Sequence, residues 1–419
     1  MACQLTAPPI EDTGHERTPL IVRNGGFARV WAAQLLSQSA TRMYQMGALW
    51  WLMGQVAAGD RGLASGLFLM SAALPPVVLA PVIARVIARH RSRSVLSGAA
   101  LGGVVLTVTL AGFAAPAGMP TLAVCPVMFG LAACQALFDP CLTKAIPELV
   151  QDRDIEDATA FEQASFSLVG MASALLGAVL VELIGPTGVV GAGAIAYLGA
   201  AVCLRTVRFH PLGGEAQEEV SSGIGQAWRL LSGLPFIKLA LVCFTAANFF
   251  ITATFVVLPL YTKNVLHAPA LTLGLLEGAL WLGMLVGVFT GKRLPGHPGP
   301  VGGGCVALFG AATVVPGIVP DRTALLVCLA VAGWSVGAVN VVFVAAFQRA
   351  VPTAAKPVFF SAMLALLGAG FPVAAFVFGL AGDLLSPQSL FLVQSAGLLP
   401  IAAVLAFRSR RGTHLRTTV

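Results

Sequence analysis

The chain has 419 residues, of which 57% are hydrophobic and only 10% are Asp, Glu, Lys or Arg, with a mean hydropathy of +0.86. A soluble globular domain carries about 25% charged residues, so this composition excludes one and describes an integral membrane protein. The net charge of +7 has to be counted by position before it suggests nucleic acid, because cytoplasmic loops of membrane proteins collect Lys and Arg.

Residues 1–26 are polar, contain Glu11, Asp12 and Glu16 and lack an apolar core, so they read as a cytoplasmic tail and not as a signal peptide. From Phe27 to Gln55 runs FARVWAAQLLSQSATRMYQMGALWWLMGQ, long enough to cross a bilayer yet with an arginine at its middle. At 100° per residue, Gln34, Gln38, Thr41 and Gln45 fall within an arc of roughly 60°, flanked by Ser37 and Arg42, while the opposite face is Leu, Ala, Met and Trp. A charge near mid-span costs about 2.5 kcal/mol or more, so Arg42 is expected to face a cavity or the bundle interior. Gln34, Gln38, Arg42 and Gln45 are therefore candidate substrate-binding residues. The alternative for Arg42 is a brace between two helices through a buried ion pair.

Further apolar runs lie near 62–88, 94–115, 120–146, 161–184 and 187–207, then near 235–261, 271–291, 300–319, 323–348, 357–382 and 388–407. With spans of about 20 residues each, the length holds roughly twelve transmembrane helices and no large soluble domain. An N-terminus inside places 21 of the 25 basic residues on the cytoplasmic side, leaves Arg61, Lys263 and Arg322 outside and keeps Arg42 within a span. That bias sets the orientation and accounts for the basic net charge without nucleic acid.

Five acids fall in or beside spans. Asp139, in the fourth, and Glu277, inside LTLGLLEGALWLGMLVG of the eighth, are candidate proton-coupling residues; a membrane acid is costly unless it protonates or pairs. For Asp139 the alternative is a helix-ending Asp-Pro step. Trp281 lies one turn from Glu277 on the same face and is a candidate for substrate contact. Glu162 reads as a loop anchor, and Glu182, like Asp383 of the eleventh span, as an interfacial acid. In the seventh span Thr245, Asn248 and Thr252 share a face, and Asn340 with Gln348 does the same in the tenth. Asn248 and Asn340 are expected at the substrate or, equally, in interhelical hydrogen bonds. Gly98, Gly102, Gly103, Gly368 and Gly370 suit close helix packing.

The two sets of six spans read as a diverged repeat. Ala145-Ile146-Pro147 matches Ala350-Val351-Pro352 at an offset of 205, and Glu182 with Gly185-Pro186 recurs as Asp383 with Ser386-Pro387 at 201. The expected organisation is a tail at 1–26, a six-helix bundle at 27–207, a cytoplasmic linker at 208–234 with an amphipathic piece around Trp228-Arg229-Leu230, a second bundle at 235–408 and a tail at 409–419. A six-plus-six repeat is the plan of a rocking transporter with a central site. Enzyme chemistry is not indicated: the cysteines are scattered without a C-x-x-C pair, the histidines are dispersed, and there is no phosphate-binding loop, so no metal, ATP or other cofactor is expected.

GFARVWAAQLLSQSATRMYQMGALWWL, FDPCLTKAIPELVQDRDIEDATAFEQASFSLVGMASALLGAVLVELIGP and FQRAVPTAAKPVFFSAMLALLGAG resemble the major facilitator superfamily, in particular its bacterial branch of macrolide-efflux proteins and siderophore exporters. The likeness spans nearly the whole chain. It implies an all-α fold of twelve helices in two pseudo-repeated six-helix bundles. It also implies that the basic loops Arg89, Arg91 and Arg93 and Lys292 and Arg293 help close the cytoplasmic side. The chain departs from the superfamily pattern there: Ala84 and Ala88 stand about where a glycine and an aspartate are usual. The fifth helix has Ser173-Ala174 in place of a Gly-Pro pair common in exporters, and Thr41 precedes Arg42 where many relatives carry an acid.

The expected protein is a proton-driven secondary transporter of the bacterial inner membrane, both termini cytoplasmic, monomeric, exporting a small amphipathic or anionic organic molecule such as a drug, antibiotic or siderophore. Its partners are that small molecule, protons and the lipid bilayer. The alternatives are a lysophospholipid flippase of the same superfamily and a non-transporting membrane receptor or scaffold.

Overall fold

The structure is a computed structural model that describes residues 20–117, 121–151, 154–207, 209, 235–351 and 356–413. The terminal tails outside these ranges, the acid Asp152 and the linker with its expected surface helix lie outside the described residues. The first half comprises α1 (Leu20–Arg23), α2 (Gly25–Gln55), α3 (Arg61–Ala73), α4 (Pro75–Val78), α5 (Ala80–Arg89), α6 (Ser92–Ala117), α7 (Thr121–Leu149) and α8 (Ile155–Arg205). The second half comprises α9 (Pro235–Asn264), α10 (Ala270–Gly291), α11 (Pro298–Ile318), α12 (Arg322–Ala350), α13 (Lys356–Leu384) and α14 (Pro387–Thr413).

Among the described residues ten helices are long and apolar enough to cross a membrane, against the twelve spans read from the sequence. Two physical facts account for the difference. The 51-residue α8 contains Gly185 at φ 71°, a positive φ that only glycine adopts easily, and so joins two spans through one bend. The 31-residue α2 is long enough, but its Gln, Ser, Thr and Arg stripe lowers its hydropathy. That helix starts where Asn24 accepts hydrogen bonds from the amides of Gly26 and Phe27, both at 3.0 Å.

The run 62–88 is not one helix. Pro75, Pro76 and Pro81 withhold amide donors, which interrupts the helical hydrogen-bond run at Leu74, whose own φ and ψ stay helical (−67°, −42°); the chain turns away at Leu79 (φ −89°, ψ 0°), so the spanning part ends at Val78 and α5 stands apart. Gly368 and Gly370 also depart from expectation, since nothing lies within 4 Å of a Cβ built on either.

Packing pairs α2 with α8, α10 with α12, α11 with α14 and α3 with α13. The α10–α12 contact is backbone against backbone: a Cβ on Gly283 would lie 2.1 Å from the Ala330 carbonyl oxygen, and one on Gly333 would lie 2.0 Å from that of Leu280. Small residues let helices in lipid approach this closely, where van der Waals packing replaces the hydrophobic drive. The contact fixes the helix that carries Glu277 and Trp281. Gly333→Ala is accordingly expected to cost about 1–3 kcal/mol of stability, read as an earlier melt of the detergent-solubilised protein by size-exclusion chromatography. Gly368→Ala, with open space at its Cβ, serves as the control and leaves the melt unchanged.

The two halves are joined at one end, where α2 finishes and α3 and α10 begin. Asp383 of α13 accepts hydrogen bonds from the amides of Gly62 (2.7 Å) and Leu63 (2.9 Å), and Glu182 of α8 accepts one from the amide of Leu271 (2.8 Å). Arg61 donates to Asn264 at 2.7 Å, and Lys263 donates to the Trp50 carbonyl at 3.3 Å with its ammonium 4.9 Å from the centre of that indole ring. The two acids read as interfacial thus each bind a helix of the opposite half.

Candidate functional site

At the middle of α2 the polar stripe divides. Arg42, Gln45 and Leu49, which share an arc of about 60°, turn toward the second half and line a cavity of about 40 Å³ together with Met46, Leu69, Gly170, Ala174, Phe255, Glu277 and Trp281. The Arg42 guanidinium carbon lies 5.8 Å from the Trp281 ring centre, so a cation of the first half rests on an aromatic face of the second. Glu277 faces the same cavity as Arg42, and Asp139 lies in the network behind it. Room for the indole comes from Gly170, where a Cβ would sit 3.0 Å from Trp281 Cδ2. Phe255 stands 6.5 Å from Trp281 between ring centres, with Phe371 a further 6.2 Å behind Phe255. The wall from the second half is therefore aromatic with one acid, and the wall from the first half carries the cation and an amide.

The other side of the α2 stripe turns inward to α7 and α8. Gln38 donates to Asp139 Oδ1 at 3.2 Å and Gln135 donates to the same oxygen at 2.6 Å. Gln135 Oε1 in turn accepts from Ser37 at 3.3 Å and Thr41 at 3.5 Å, and the Thr41 and Tyr197 hydroxyls are 2.5 Å apart. Gln38 Oε1 is buried with no hydrogen-bond partner. Leaving such an acceptor unsatisfied costs about 1–3 kcal/mol, so this network has capacity for one more proton donor beside Asp139.

The structure thus brings Arg42, Gln45, Glu277 and Trp281 together and sets Gln38 and Asp139 in the adjoining network. Gln34 is buried within the first half and Asn340 half-buried in α12; neither lines the cavity. Asn248 donates to the Leu367 carbonyl at 3.3 Å, an interhelical bond inside the second half, and lies outside the cavity lining. Gln348 is exposed. Glu162 accepts from Thr143 at 2.9 Å and ties α8 to α7. Arg89, Arg91 and Arg93 are exposed around the α5–α6 junction, Arg93 donating to the Arg205 carbonyl at 2.7 Å, and Lys292 and Arg293 are exposed just after α10.

Sequence reading missed Gln135, Tyr197 and Phe255. Gln135 had a signal, an amide one helical turn before Asp139 in an apolar span. Phe255 had none, being one of 24 phenylalanines.

Helices joined in two halves around a cavity lined by an arginine and a glutamate from apolar spans define, by class, a secondary transporter. The sequence model of the Major Facilitator Superfamily matches residues 30–312. The chain belongs to that superfamily, whose members are transporters and not enzymes. No curated protein matches the chain. Among solved structures it is similar to a bacterial homologue of the human lysosomal transporter Spinster in an inward-facing, unoccupied conformation (14% identity over 92% of this chain and 97% of that one, TM-score 0.69). It is likewise similar to a nucleoside transporter (12% identity, 91% and 98% covered, TM-score 0.68) and to a bacterial homologue of the iron transporter ferroportin in the inward-facing state (13% identity, 91% and 98% covered, TM-score 0.66). At these identities the likeness is one of fold.

Proposed function

We propose that this transporter exports a small amphipathic organic molecule bearing an anionic group, in exchange for protons, across the bacterial inner membrane with both termini cytoplasmic. The observation that carries the reading is the placement of Arg42 on the Trp281 ring, with Glu277 lining the same cavity between the two halves. A guanidinium offers bidentate recognition of a carboxylate, and the Phe255–Trp281 wall offers an apolar face for the remainder of the cargo. Glu277 holds the guanidinium when ionised and releases it when protonated, so proton uptake and cargo binding draw on the same arginine. The Asp139 network supplies the second acid on the first half. Bundles 27–207 and 235–408 are the moving bodies, and the basic residues Arg89, Arg91, Arg93, Lys292 and Arg293 belong to the cytoplasmic gate. In this orientation the joined end of the molecule is its outer face.

Inside-out membrane vesicles with an imposed pH gradient are expected to accumulate a radiolabelled carboxylate-bearing antibiotic or carboxylate siderophore in a manner abolished by protonophore. Accumulation of lysophosphatidylcholine in its place would assign the protein to lipid transport. The absence of uptake for all three, with the protein shown to be folded, would favour a receptor or scaffold.

A further inference from the structure

The carboxylates of Glu182 and Asp383 stand in a relation that transport of any one cargo does not require. Each lies at the end of one half and receives amide hydrogens from the first turn of a helix in the other: Asp383 from Gly62 and Leu63 of α3, Glu182 from Leu271 of α10. The first amides of a helix have no partner within it, and its N-terminal end carries partial positive charge, so a carboxylate is favoured there. Neither receiving helix has a cap of its own. The residues in capping position, Asp60 before α3 and Pro269 before α10, make no side-chain capping bond. By contrast α2 and α12 are capped locally by Asn24 and Asp321.

A local cap stabilises its helix in every conformation. A cap from the opposite half stabilises only the conformation in which the halves meet, so its free energy enters the equilibrium between closed and open states. The approach that lets both carboxylates reach is equally close on the two sides. A Cβ on Gly62 would lie 2.5 Å from the Gly379 carbonyl oxygen, and one on Gly274 would lie 2.5 Å from Ala178 Cβ.

We infer that Glu182 and Asp383 form a two-part latch, one carboxylate per half and related by the internal repeat, that holds this end of the molecule shut and releases only when both caps break together. The inference rests on the reading of the two halves as moving bodies and is independent of cargo and coupling ion. Hydrogen–deuterium exchange of the full chain in lipid nanodiscs tests it, because amide exchange reports opening directly. Asp383→Ala is expected to speed exchange about fivefold, the size of one lost cap, at residues 61–66 and also at 271–276 across the interface, and Asp383→Asn, which keeps an oxygen acceptor as Asn24 does at α2, by less. Glu182→Ala is expected to do the same in both segments, and Glu182→Gln, which keeps an oxygen acceptor, again to a smaller extent. Asp321→Ala, which removes a local cap, speeds exchange only at the start of α12. The Asn and Gln variants keep the side-chain shape and guard against misfolding, whereas the Ala variants remove the acceptor. Faster exchange confined to the segment each Ala variant touches, or no change in either, would overturn the latch. A chain that moved no cargo would still show the linked exchange, so failure of the transport reading is separable.

Discussion

Arg42→Lys is expected to cut export about tenfold to a hundredfold, the loss that corresponds to one hydrogen bond to a charged group, with the amount of folded protein unchanged. Lysine keeps the positive charge, so Glu277, which faces the same cavity, and Asp139, in the network behind it, stay balanced. What it gives up is the planar fork that grips two oxygens at once and the flat face that lies over Trp281. Arg42→Ala is a harsher change. It is expected to abolish export and to lower the yield, since removing one partner of a buried charge group costs about 3–5 kcal/mol. Combining Arg42→Ala with Glu277→Gln is expected to recover yield without transport. Uptake in inside-out vesicles, normalised to monodisperse protein, separates these outcomes. Normal export by the Lys variant would discard bidentate recognition, and normal export by the Ala variant would remove Arg42 from the binding site.

Glu277→Gln is expected to uncouple the transporter. The amide copies the shape of a protonated carboxyl but neither gains nor loses a proton, so Arg42 is permanently released toward the cargo. Proton-driven accumulation is expected to fall from about tenfold per unit of pH gradient, the limit for one exchanged proton, to simple equilibration. Exchange of labelled for unlabelled cargo, which needs no proton, is expected to continue. Unaltered accumulation in this variant would reduce Glu277 to a packing partner of Arg42 and move the coupling role to Asp139, whose two glutamine donors give it an independent setting.

Much of the site was legible because the membrane makes polarity conspicuous. A mid-span arginine, and an acid one turn from a tryptophan in an otherwise apolar helix, each carry a desolvation cost that only a cavity or a partner offsets. What the helical wheel leaves open is rotation relative to neighbours. The α2 stripe also divides along the helix: Gln38 and Thr41 turn into α7 and α8, while Gln45, at a similar angle but one to two turns further on, lines the cavity with Arg42 from the stripe's flank. Asn248 was open between two readings for a related reason: an amide satisfies itself as well on a neighbouring carbonyl as on a cargo, and here the Leu367 carbonyl is within reach. The repeat made Glu182 and Asp383 visible as counterparts, yet their partners are backbone amides, and backbone amides have no signature in a sequence. The break after Leu74 had its signal in Pro75-Pro76, whose effect within an apolar run is set by whether neighbouring groups satisfy the freed carbonyls.

The stacking of Arg42 on Trp281 in a cavity of about 40 Å³ has a consequence for selectivity. The guanidinium already rests on an aromatic surface and shares its cavity with an acid, so the protein holds an intramolecular competitor in its own binding place. Tethered groups act at effective concentrations of about millimolar or above. An incoming molecule is therefore ranked not by how well it binds compared with water but by how well it displaces Glu277 from the arginine and the arginine from the indole. A ligand that offers only an anion, or only a ring, replaces half of what it dislodges; one that offers both in a single rigid frame replaces all of it.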